Sequence, residues 1–160
     1  MATILRFVQV LALGAWTGSI LFLSLIVAPG AFALLPTREL AGSVVGMALA
    51  RLHFLGYAAG ALYLGASLVQ TRSASALARP AVVLVIAMLL LTFISQHALT
   101  PRIAGLRAQM ASDFGSVDST PKDHPLRAQF GRLHGISTLL ELAVLLLGLA
   151  ALFVTVRSEQ

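Results

Sequence analysis

Charged residues divide this 160-residue chain into four long apolar blocks. Charge-free runs extend from Phe7 to Thr37, from Leu52 to Thr71 and from Pro80 to Pro101. A fourth block, Gly135 to Val156, contains one acid, Glu141. A helix needs roughly 20 apolar residues to cross about 30 Å of hydrocarbon, and every block meets that length. The pattern predicts an all-α chain, an integral membrane four-helix bundle. Residues 1–160 form a single four-span domain, with spans at about 7–28, 50–70, 80–100 and 135–156.

The first run is about twice as long as a signal-peptide apolar region, so it reads as a span. Pro29-Gly30 is expected to end or kink it, because proline removes an amide donor and crowds the preceding turn. Thr37 then caps the second helix, with Glu39 in its first turn near the positive end of the dipole. Nothing interrupts the helical pattern from Arg38 to Gln70, so this helix is expected to start outside the bilayer. A Ser-rich link leads to Pro80, a good first-turn residue. Past Pro101, Ile103, Leu106 and Met110 continue an apolar helical face, and Leu126, Phe130, Leu133 and Ser137 resume one. The link from Arg102 to Arg132 is therefore expected to be two helix extensions around a short turn.

Composition agrees with this class. The chain is 58% hydrophobic and 11% charged, which excludes both a disordered chain and an ordinary solvated domain. The net charge of +5 comes from basic residues in short segments between apolar blocks, where they meet lipid headgroups. The expected partners are the lipid bilayer and a homo-oligomer or larger membrane complex, with no nucleic acid. One side of the membrane would hold Arg38, Arg51, Arg102, Arg107, Lys122, Arg127 and Arg132; the terminal side would hold Arg6, Arg72, Arg79 and Arg157. The positive-inside rule then assigns loops 29–50 and 101–134 to the cytoplasm, in a bacterial inner membrane. Cysteine is absent, which excludes disulfides, thiolate nucleophiles and cysteine-bound clusters or copper.

Arg51-Leu52-His53 opens the second span and Arg132-Leu133-His134 the fourth, each preceded by a span ending at a proline, Pro29 or Pro101. The simplest reading is two hairpins in parallel pseudo-repeat. It expects His53 and His134 at one depth, near both prolines, with Arg51 and Arg132 about 200° away on their helices. The two histidines are candidate ligands for a haem or metal, which His97 could join, or structural hydrogen-bonding groups. His124 falls in the polar turn. Glu141, seven residues after His134, shares its helical face and should point at the other helices, with Ser137 and Thr138 between. Gly-x-x-x-Gly pairs at Gly14/Gly18, Gly42/Gly46, Gly56/Gly60 and Gly131/Gly135 imply close helix packing, within the bundle or between copies. Trp16 lies too deep for an interfacial belt and should face the bundle.

Several of these residues resemble a known family. Trp16-x-Gly18, Phe22, Ala28-Pro29 and Phe32 are similar to its first-span pattern. Pro101-Arg102 and the stretch Leu126-Arg127-x-x-Phe130-x-Arg132-Leu133-His134-Gly135-x-Ser137 are similar to its third and fourth. This is the transmembrane protein 205-like family, four-span proteins of unknown function. The resemblance covers nearly the whole chain and implies four membrane helices and no established enzyme activity. The family position matching Glu141 is more often Asn, so no catalytic role for Glu141 is implied. A looser architectural likeness is to membrane proteins of the copper-resistance D and haem-binding protoporphyrinogen oxidase types. The expected function is a non-enzymatic accessory or packing module without a cofactor. The alternative is a b-type haem- or metal-binding protein, in possible electron transfer, using His53 and His134.

Overall fold

Four apolar helices of 33 to 35 residues, each about 50 Å long, make up nearly all of the computed structural model. They are α1 (Ala2–Leu34), α2 (Arg38–Thr71), α3 (Pro80–Phe114) and α4 (Pro125–Arg157). The structure describes residues 1–71 and 73–157, without the side chain of Ala74. The helices alternate in direction around a ring: α1 packs on α2 and α4, and α3 packs on α2 and α4. Large apolar side chains such as Leu11, Phe22, Leu62, Leu90, Leu146 and Phe153 point outward and are exposed. An apolar outer belt on helices of this length makes the chain a membrane helical bundle.

Both odd-numbered helices widen at the same place. Leu23–Val27 in α1 and Ser95–Leu99 in α3 are π-helical turns, and each is followed at once by a proline segment. The Ala28 N–H reaches the Leu23 carbonyl, and the Thr100 N–H reaches the Ser95 carbonyl, five residues back. The cause is local. Pro29 and Pro101 have no N–H for the carbonyl four residues earlier, and their rings would crowd it, so a wider turn relieves the clash. Pro29 therefore does not end the first helix, which continues to Leu34.

Short connections close the hairpins. The Thr37 hydroxyl accepts from the Leu40 N–H at 3.2 Å and starts α2. A 3₁₀ turn, Ala74–Ala78, links α2 to α3. Gly115, with φ +81°, ends α3 in the left-handed conformation that glycine tolerates best. The turn before α4 is tied down by Arg127, whose Nη1 donates to the carbonyls of Val117, Asp118 and Thr120 at 3.0, 3.2 and 2.6 Å.

The core between the helices holds Leu13, Trp16, Val82, Val85, Met88 and Val144. Glycines set how closely the helices approach. A Cβ on Gly56 would lie 2.6 Å from the Trp16 indole, and one on Gly60 would lie 2.6 Å from Leu89. A Cβ on Gly148 would overlap Thr17 and Met88, and one on Gly42 would meet the Arg107 guanidinium. Gly14, Gly18, Gly131 and Gly135 have nothing within 4 Å of a Cβ, so those two pairs are not packing glycines of this bundle.

Candidate functional site

A histidine bonded to two other helices lies near the midpoint of α2. His53 is completely buried, three residues before Gly56, whose missing Cβ admits the Trp16 ring. Its Nδ1 lies 2.7 Å from the Gln96 Oε1 of α3, and its Nε2 lies 2.6 Å from the Glu141 Oε1 of α4. The side chain of Glu141 is 15% exposed. Three helices thus meet through one ring, and the Trp16–Gly56 approach seats α1 on α2 close by in sequence. Gln96 comes from the π turn that Pro101 imposes on α3, so the proline helps aim it.

The geometry fixes most of the protons. A carbonyl oxygen only accepts, so Nδ1 donates to Gln96. One proton then lies between Nε2 and Glu141, giving either an imidazolium–carboxylate pair or a neutral imidazole with a carboxylic acid. That proton bridges the two groups, and without it Nε2 and the Glu141 carboxylate would be two acceptors facing each other at 2.6 Å. Around it, the Trp16 Nε1, Tyr57 hydroxyl and Ser95 hydroxyl are buried atoms with no hydrogen-bond partner. Such unpaired donors are costly to bury.

The remaining candidates lie elsewhere. His134 is exposed and stacks on Phe130 at 6.0 Å, seven residues or about 10 Å along α4 from Glu141. The expectation that His53 and His134 share one depth is therefore corrected: His53 is level with Glu141. The physical reason is the connections. The prolines recur 72 residues apart (29 and 101) and the even-numbered helices start 87 apart (38 and 125), whereas the Arg-Leu-His echo has a spacing of 81. The longer turn before α4 shifts the echo almost two turns out of register.

His97 is exposed, on a different face from Ser95, with its ring 4.4 Å from Phe93 and 6.5 Å from Tyr57. His124 is partly exposed, against Phe114, and its Nδ1 accepts from the Leu126 N–H at 3.3 Å. Arg51, Arg102 and Arg132 are exposed, as are Gly18, Pro29, Pro101 and Gly135; Phe130 is half-buried under the Arg107 guanidinium, and Ser137 is buried. Arg72 lies outside the described residues. Sequence reasoning missed Gln96; the available signal was a run of three polar residues, Ser95-Gln96-His97, inside an apolar block.

A second polar cluster went unnoticed in the sequence. Toward the chain termini, Gln9 Nε2 donates to Ser67 at 2.8 Å, and Ser67 donates to the Tyr63 carbonyl at 2.9 Å. Tyr63 and Thr155 share a 2.7 Å bond, and Arg6 donates to the Thr155 and Val156 carbonyls that end α4.

Comparison with known proteins gives a family match. A family described as a domain of unknown function, DUF4149, matches residues 11–112, nearly two thirds of the chain. That segment includes Trp16, both π turns, His53 and Gln96, and stops short of Glu141. No curated protein and no solved structure matches.

Proposed function

The chain belongs to the DUF4149 family, and on that premise we propose that it is a non-enzymatic membrane module whose hairpins are locked together by His53, Gln96 and Glu141. One observation supports this reading: both ring nitrogens of His53 are engaged by side chains of other helices. A b-type haem or a metal does not fit these residues as they stand. An axial ligand needs a free ring nitrogen, and His134 lies on the outside of α4. Spectra and melting curves of the detergent-solubilised protein test the reading, with His53→Ala and His134→Ala alongside. The expected result is no Soret band after haemin supplementation and a lower Tm for His53→Ala only. A stoichiometric Soret band that disappears in His53→Ala would overturn it.

Within DUF4149, the chain fits beside transmembrane protein 205-like proteins, on the strength of Trp16, Pro29 and the stretch from Arg127 to Ser137. Its place is a bacterial inner membrane, with residues 29–50 and 101–134 toward the cytoplasm. The lysine and arginine count supports that orientation.

A further inference from the structure

The cluster near the termini surrounds a cavity of about 320 Å³, open between the start of α1, the end of α2, the start of α3 and the end of α4. Its wall includes Gln9, Tyr63, Ser67 and Thr155, all at least nine-tenths buried. Two arginines, Arg6 and Arg79, line it as well, and no Asp or Glu is among its described lining residues. The hydroxyls are mostly spent on the protein. Thr155 donates to the Ala151 carbonyl, so Tyr63 donates to Thr155; Ser67 donates to the Tyr63 carbonyl, so Gln9 donates to Ser67. The three hydroxyl protons and one Gln9 amide proton are thus consumed inside the wall. What remains for an occupant is the second N–H of the Gln9 amide, Arg79 and the start of α3.

There the backbone adds donors. Pro80 has no N–H, and the Val83 N–H is bonded to the Arg79 carbonyl at 3.0 Å. The N–H groups of Ala81 and Val82 are the orphan donors of a first helical turn, and both residues are buried in the cavity wall. Donors, positive charge and a polar floor favour an anion. Position narrows the class. Arg6 and Arg79 stand immediately before the charge-free runs of α1 and α3, the level at which a bilayer presents its phosphates. A cavity of this volume admits a phosphate group.

We propose that this cavity binds the phosphate of a membrane lipid headgroup or of a soluble phosphate monoester, with Arg79 as its principal charged contact. Arg6 is already committed to the end of α4, so it contributes field and wall, whereas Arg79 is exposed at the rim and able to close over an occupant. The proposal is independent of the His53 reading, because about 15 Å of helix rise along α2 separates His53 from Tyr63.

The test uses the full chain in a neutral detergent, with binding read by native mass spectrometry and by Tm. Probes are dihexanoyl phosphatidic acid, glycerol 3-phosphate, inorganic phosphate and dihexanoyl phosphatidylcholine, with chloride at matched ionic strength. Variants are Arg79→Gln, Arg79→Lys and Arg157→Gln, the last removing an exposed charge that does not line the cavity. Losing one charge-assisted contact should weaken phosphatidic acid binding roughly tenfold in Arg79→Gln. Arg79→Lys should keep most of the affinity and Arg157→Gln all of it. Binding of the lipid alone identifies a headgroup as the source, and equal binding of glycerol 3-phosphate identifies a soluble phosphate. Saturable binding that Arg79→Gln leaves unchanged, or no binding beyond the chloride control, overturns the proposal.

Discussion

His53 is held at both nitrogens, and that makes its removal expensive in an instructive way. His53→Ala strips the partner from Glu141 and Gln96 together and leaves a buried void. Breaking a buried pair on one side costs about 3–5 kcal/mol in soluble proteins, and interhelical bonds in membranes average less. A loss of about 2–4 kcal/mol is expected in a denaturation series in mixed micelles. Glu141→Gln keeps a hydrogen-bonding group and removes only the shared charge, so about 1 kcal/mol is expected. Replacing both His53 and Glu141 by Leu should cost less than the two single Leu variants summed, since no unpaired charge remains. A strictly additive double variant would show that the pair is not coupled.

The same site shows where sequence reading stops at residue scale. Glu141 was legible as a group facing the helices, because an acid in an apolar block has few other places to go. Its partner was not. His53 and His134 look equivalent as sequence, and only the unequal connections before α2 and α4 separate them. Gln96 was hidden beside His97 because a one-residue widening of α3 decides which side chain turns inward. Helical periodicity does not count a π turn.

At the scale of elements, glycine spacing announced close packing without telling which pairs pack. Gly56 and Gly14 carry the same motif. Gly56 sits under an indole that cannot retreat, while Gly14 and Gly18 face outward. Gly56→Ala should therefore destabilise the bundle by about 1–3 kcal/mol through overpacking. Gly18→Ala should be neutral or slightly stabilising, since alanine is the better helix former by about 1 kcal/mol. Thermal melts of the two variants distinguish the cases; equal losses would mean that Trp16 does not rest on Gly56 as described. The four helices themselves were plain from charge gaps, as were the long α2 and the continuation of α3 beyond Pro101. The length of α1 was not, because it runs on past Pro29, which ordinarily ends or kinks a helix.

For the whole molecule, orientation turns on which charges are available to the membrane. Arg107 is packed against Gly42, Ser43 and Phe130, Arg127 binds three carbonyls, and Arg6 caps α4. Setting those aside leaves Arg38, Arg51, Arg102, Lys122 and Arg132 exposed on the loop side, against Arg79 and Arg157 on the terminal side. Even with Arg72 added to the terminal side, the imbalance keeps its sign, and the positive-inside rule keeps its answer. The absence of cysteine makes a direct measurement possible, because each introduced thiol is the only one. Ser75 lies in the link between α2 and α3 and Ser119 in the turn before α4, and both are exposed. In spheroplasts, Ser75→Cys should react with a membrane-impermeant maleimide at once. Ser119→Cys should react only after permeabilisation. The reverse pattern would invert the protein and turn the arginine-lined cavity toward the cytoplasm.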